Sequence, residues 1–218
     1  IIFSAGIATC YTCSGGFRAV AYTDTLQLLL IVIGLGVTLP FVIPMAGGLS
    51  SVLEGAFPPF RHQREIISYT DLTIVLMLGG IPWNVYFQRV LASKNEKVAA
   101  QLSLAAAPLC VILAIPPLLA GLAATNLDWT ELAGPEETRL LFENGSLALP
   151  YVIKYTTPPW VSWLALGAIA AAVMSSVDSS ILSAASLITW NGYRALYRPQ
   201  ASSRQISRCI RVLILGLG

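Results

Sequence analysis

The chain has 218 residues, 56% of them hydrophobic and only 11% charged, with 13 Lys and Arg against 11 Asp and Glu. So few charges, nearly balanced, argue against a nucleic-acid-binding surface, and a mean hydropathy of +0.71 argues against an ordinary soluble domain. The charges fall in clusters, and positions 27–50, 98–127 and 158–177 carry none. Each run is long enough for the roughly 20 residues that a bilayer crossing needs, so the composition predicts an all-α, multi-pass membrane protein.

In chain order, the expected spans are about 1–14, 25–47, 70–90, 101–124 and 158–190, with the start of another near 207–218. The sequence begins on Ile1-Ile-Phe and stops on Leu215-Gly-Leu-Gly218, in both cases inside an apolar stretch, and the expectation is a fragment of a longer membrane protein. The connections, 15–24, 48–69, 91–100, 125–157 and 191–206, leave no room for a second soluble domain, so 1–218 reads as a single membrane domain. Cys10 and Cys13 form a CxxC without a second ligand pair. They read, like Cys110 and Cys209, as small buried hydrophobes. No phosphate-loop or dinucleotide fingerprint occurs, and no cofactor is expected.

Basic residues are retained preferentially on the cytoplasmic side of membranes. Arg18, Arg89, Lys94, Lys97, Arg194, Arg198, Arg204, Arg208 and Arg211 fall on one set of alternate connections, which is therefore placed inside. Arg61, Arg64, Arg139 and Lys154 share the other set with Asp128, Glu131, Glu136, Glu137 and Glu143. The sequon Asn144-Gly-Ser146 lies in that acidic loop, where glycosylation requires an outside location, so two unrelated criteria agree. Trp160 and Trp163 suit an interfacial belt, and His62, beside Arg61 and Arg64, reads as solvated surface.

Three acids, Asp24, Asp71 and Asp178, fall within or at the edge of spans. An unpaired carboxylate in hydrocarbon costs at least about 2.5–3.5 kcal/mol, so such acids usually face a protein interior or an ion path. Asp24 and Asp71 sit near span ends, where caps or solvation would also explain them. Asp178 is mid-span in Ala171-Ala-Val-Met-Ser-Ser-Val-Asp-Ser-Ser-Ile-Leu-Ser183. At about 100° per residue from Ser175, Ser179 lies near 40°, Ser183 near 80°, Ser176 near 100° and Ser180 near 140°, with Asp178 flanking at about −60°. The Ala172 carbonyl points toward the hydroxyls of Ser175 and Ser176. Those three oxygens form a half-shell suited to a hard monovalent cation. Serines bonding back to their own helix are the plainer alternative.

A second polar feature is Gly79-Gly-Ile-Pro-Trp83-Asn-Val-Tyr-Phe-Gln-Arg89. Its glycines and proline predict a broken helix lining a cavity. Trp83, directly after the break, could hold a quaternary ammonium by cation–π attraction, on the order of 2 kcal/mol when desolvated.

The segments Gly15-Gly-Phe-Arg-Ala-Val-Ala-Tyr-Thr-Asp24-Thr-Leu-Gln27, Leu76 to Leu91 and Ala171 to Ala184 closely resemble the sodium:solute symporter family, the latter two its choline-transporting branch. The resemblance weakens only at 48–69 and 125–157. It implies the five-plus-five inverted-repeat fold, with this piece running from the end of core helix 4 to the start of core helix 9. It also implies sodium ligands at the Ala172 carbonyl and the Ser175 and Ser176 hydroxyls, and Trp83 as a wall of the choline site. Asp71, Asp178 and, beside it, Ser179 fall at positions implied in ion coupling, and Asp24 on the inner sodium path. Other ligands would lie on core helices that this chain does not include. Cys13 and Ser14, where apolar residues are expected, and the position of the sequon depart from the family pattern.

The function so implied is sodium-coupled choline symport into the cell by alternating access, with chloride dependence, at the plasma membrane of presynaptic terminals and in synaptic vesicles. Choline, sodium and the lipid bilayer are the expected partners, with self-association left open. Choline would supply neurotransmitter biosynthesis only through other enzymes. Rival readings are a sodium symporter for another organic solute such as proline, a truncated non-transporting product, and an intramembrane hydrolase. The last lacks a base near Asp178 and a mid-span histidine to activate a serine, so no enzyme activity is expected.

Overall fold

A computed structural model describes residues 2–54, 63–79 and 83–218. The elements are α1 (Ile2–Gly36), α2 (Leu39–Met45), α3 (Leu49–Glu54), α4 (Gln63–Gly79), α5 (Asn84–Leu91) and α6 (Glu96–Ala124). Then come α7 (Trp129–Ala133), α8 (Pro135–Glu143), a 3₁₀ turn (Gly145–Leu147), α9 (Ala148–Thr156), α10 (Pro159–Leu187), a π-helix (Ile188–Tyr197) and α11 (Ser203–Leu217). No strand occurs among the described residues. Four segments are long and apolar enough to cross a membrane: Thr9–Met45, Gln63–Leu91, Glu96–Ala124 and Pro159–Tyr197. The protein is an all-α, multi-pass membrane protein.

The expected connection at 15–24 is largely helical. α1 breaks only at Gly16 (φ 57°, ψ −146°), a backbone geometry that a residue with a Cβ adopts at a steric cost. No proline follows, so 17–24 wind straight back into helix. The apolar run expected as 25–47 instead turns at 37–38, where Pro40 suits the first turn of α2 and its missing N–H goes unmissed. α6 carries Pro108, Pro116 and Pro117 without ending. It starts where the Asn95 side chain accepts from the Val98 N–H at 2.9 Å, with Glu96 favourably placed in the first turn. α11 starts with a capping box, Ser202 with Gln205.

The chain divides into two compact units. One comprises Leu30–Pro82 and Lys94–Ile169. Its core packs Val42, Ala46, Val52, Ala120, Ala123, Trp129, Leu141 and Val152. The indole Nε1 of Trp129 donates to the Ala124 carbonyl at 2.8 Å, so that large ring is buried with its one polar atom satisfied. Gly34 lies so close to Ala168 that a Cβ there would stand 2.6 Å from the alanine methyl. In the 125–157 region, Tyr151 donates to Glu137 and holds that carboxyl below its ordinary range, while Lys154 gains a partner in Tyr155 and is raised.

The other unit comprises Ile1–Leu29, Trp83–Ser93 and Ala170–Gly218. Val20 from α1, Leu182 and Ala185 from α10 and Ile214 from α11 form its apolar core. Cys10 in this unit and Cys110 in the first, both expected buried, are exposed. They sit on helices whose outward faces are apolar, where hydrocarbon rather than protein would cover them.

Candidate ion-coupling site

In this second unit, α1, α5 and α10 meet along a polar seam. Arg89 of α5 places Nη2 2.7 Å from Asp24 Oδ2 on α1 and donates from the same nitrogen to Ser179 Oγ on α10 at 2.9 Å. Its other terminal nitrogen donates to the Val85 carbonyl at 3.1 Å, which fixes the guanidinium against its own helix. Ser175 donates to the second oxygen of Asp24 at 2.5 Å. Both charges are partly buried, at 33% and 20% exposure of the side chains, so neither is left to face hydrocarbon alone.

The seam continues along the same two helices. Asn84 donates to the Ser183 hydroxyl, and Gln88 to Ser186 Oγ at 3.1 Å. Thus Asn84 and, four and five residues after it on α5, Gln88 and Arg89 meet Ser183, Ser186 and Ser179 on α10. Read from the sequence alone, Asn84 and Gln88 belong only to the polar stretch after the helix break, Arg89 is an inside charge and Ser186 has no assigned role. Their signal was present. Two polar stripes at helical spacing, each too polar for lipid, need each other.

The serine-rich face itself divides. Ser175, Ser179 and Ser183 look into the seam. Ser176 and Ser180 are exposed and bond back along α10, Ser176 to the Ala172 carbonyl at 3.1 Å and Ser180 to the Ser176 carbonyl at 2.7 Å. The Ala172 carbonyl and Ser176 hydroxyl therefore lie together, while Ser175 turns its proton toward Asp24. Asp178 is 1% exposed, and neither of its oxygens has a partner. It belongs to the helix face that also carries Leu182 and Ala185. Tyr11 Oη, Thr12 Oγ1 and Gln27 Oε1 are the other buried unpartnered side-chain atoms among the described residues.

The remaining predicted residues stand elsewhere. Trp83 precedes α5 in extended conformation (φ −65°, ψ 111°) with 58% of its surface exposed. Gly80, Ile81 and Pro82, the heart of the expected helix break, lie outside the described residues, as do Arg61 and His62. Asp71 is exposed on α4, in the first unit, and Asn144 is exposed at the end of α8.

Asp24 is thus bridged by serine and arginine at a seam of three helices. Residues 1–218 all match the sodium:solute symporter family. The chain belongs to that family. Among curated relatives, the chain is 43% identical over 223 residues to high-affinity choline transporter 1 of Drosophila melanogaster, covering 100% of this chain and 36% of that protein. It is 40% identical to high affinity choline transporter 1 of Homo sapiens, over 100% of this chain and 39% of the relative. The sodium/proline symporter of Escherichia coli (strain K12) is 28% identical, over 94% of this chain and 41% of its own length. The chain thus spans well under half the length of these relatives.

Proposed function

We propose that the protein containing this chain is a sodium-coupled choline symporter that takes choline into the cell by alternating access, with chloride dependence, at the plasma membrane. The observation that carries this reading is the 38–43% identity to choline transporters along nearly the whole chain, against 28% to the sodium/proline symporter. The presynaptic and vesicular location, the partial inverted-repeat fold and the extent 1–218 as one membrane domain belong to the same proposal. Sodium is the coupling substrate, and its half-shell is the Ala172 carbonyl with Ser175 and Ser176. The 3.1 Å back-bond from Ser176 to the Ala172 carbonyl keeps those two oxygens adjacent, and a bound ion would replace that bond, while Ser175 points its hydroxyl proton at Asp24 and leaves its lone pairs for the ion. Asp24, Asp71, Asp178 and Ser179 would serve ion coupling, Trp83 would face the choline ammonium, and Asn144 would carry glycan. Binding sodium in one conformation and not the other would bias the seam between its two arrangements.

The test is uptake of labelled choline by the intact protein in sodium and in sodium-free medium. Expected are sodium-dependent uptake and, in Ser176→Ala, a sodium requirement raised about tenfold, the effect of losing one oxygen ligand worth about 1–1.5 kcal/mol. Equal uptake without sodium would refute the coupling. Proline uptake without choline uptake would refute the substrate.

A further inference from the structure

No Asp or Glu follows Asp178, while Arg194, Arg198, Arg204, Arg208 and Arg211 do. None of the five has a salt bridge among the described residues. Arg194 rests over the Trp190 ring, 4.6 Å from its centroid, and three of the others gather on α11. Arg204, Arg208 and Arg211 stand at i, i+4 and i+7 and, with Ser203 and Ser207, line an open groove of about 410 Å³. Ser203 and Ser207 have no hydrogen-bond partner for their hydroxyls among the described residues. Like charges held at helical spacing repel one another, so the groove is arranged for an anion that would relieve that repulsion.

The rest of α11 narrows the choice of anion. Its inner face is packed, with Ile206 and Ile214 buried. Its outer face changes character within one turn of Arg211, for Val212 and Leu215 are 63% and 60% exposed. A free phosphate or a nucleic acid would find charge there but nothing for the apolar continuation. A molecule anionic at one end and hydrocarbon at the other satisfies both. We infer that the Arg204–Arg208–Arg211 face of α11 binds the anionic headgroup of a membrane phospholipid, its acyl chains lying along Val212 and Leu215. The arginines supply charge-assisted hydrogen bonds to the phosphate and the serines further donors. Arg211 also lines a cavity of about 300 Å³ with Gln88 and Ser186, so the headgroup would touch a residue that borders the polar seam.

The intact protein, purified and reconstituted in vesicles of phosphatidylcholine with one-fifth phosphatidylserine, would be assayed for retained lipid by native mass spectrometry. Phosphatidylserine should be retained over phosphatidylcholine. Because each arginine near an anionic surface contributes roughly fivefold, the triple variant R204Q/R208Q/R211Q should weaken that preference more than about tenfold, and the matching lysine variant should keep most of it. Leu215→Ser, which leaves every charge in place, should also shorten retention, and it decides the matter if the triple variant does not fold. Equal retention of the two lipids, displacement by inorganic phosphate or by a single-stranded oligonucleotide, or indifference to Leu215→Ser would overturn the inference. Binding is scored without uptake, so failure here and failure of the transport reading are distinguishable.

Discussion

Around Trp129, burial is a matter of volume: Val42, Val52, Ala120, Ala123 and Val152 fill the space, and in the same unit the buried Thr38 and Thr156 hydroxyls bond the nearby backbone carbonyls of Leu35 and Val152 at 2.6 Å. Around Asp24, in the other unit, burial is a matter of partners: two charges, two amides and four serines are matched along α1, α5 and α10. All the buried side-chain atoms without a partner among the described residues, on Tyr11, Thr12, Gln27 and Asp178, also belong to this unit. A packed apolar core has one good arrangement, whereas a polar seam with spare acceptors can exchange partners. The first region is built for stability, and the second is the one to which ion coupling is proposed to belong.

Three substitutions test that contrast. Trp129→Ala should have the largest effect on stability, about 3–5 kcal/mol from the lost burial and the cavity left behind. It would appear as a lower melting temperature of the purified protein, with the sodium requirement of the surviving fraction unchanged. Asp24→Ala leaves Arg89 and Ser175 without their acceptor, and should cost about 1–3 kcal/mol of stability and abolish sodium-dependent uptake. The double variant with Arg89→Ala should recover stability but not uptake. Recovery of both would reduce the ion pair to a structural brace. Asp178→Asn should have the smallest effect on melting, because it removes a charge that no group compensates. Uptake that survives it unaltered would remove Asp178 from the coupling machinery.

The sequence made the membrane class and the serine-rich face plain, because uncharged runs and a 3.6-residue period are local properties. It left the division of that face obscure, because which serines bond inward depends on what lies opposite. Ser176 and Ser180 fall within about 100° of Ser179 on the wheel, yet α5 meets only the side bearing Ser179 and Ser183. Arg89 escaped for a related reason: a basic residue near a span end reads equally well as a topological anchor, and only Asp24, far off in sequence, shows otherwise. The expected connection at 15–24 shrank to one glycine, since a positive φ needs a single residue rather than a loop.

The π-helix at Ile188–Tyr197 resets the angular spacing of the side chains that follow α10. There the winding is wider: the Arg198 N–H bonds the Tyr193 carbonyl five residues back, at 2.9 Å, where an α-helix would reach four. The ruler of about 100° per residue that finds the serines therefore expires at Leu187. Past that point neighbours are counted by a different rhythm, and Arg194 owes its heading to the change of gauge rather than to the face on which the serines lie.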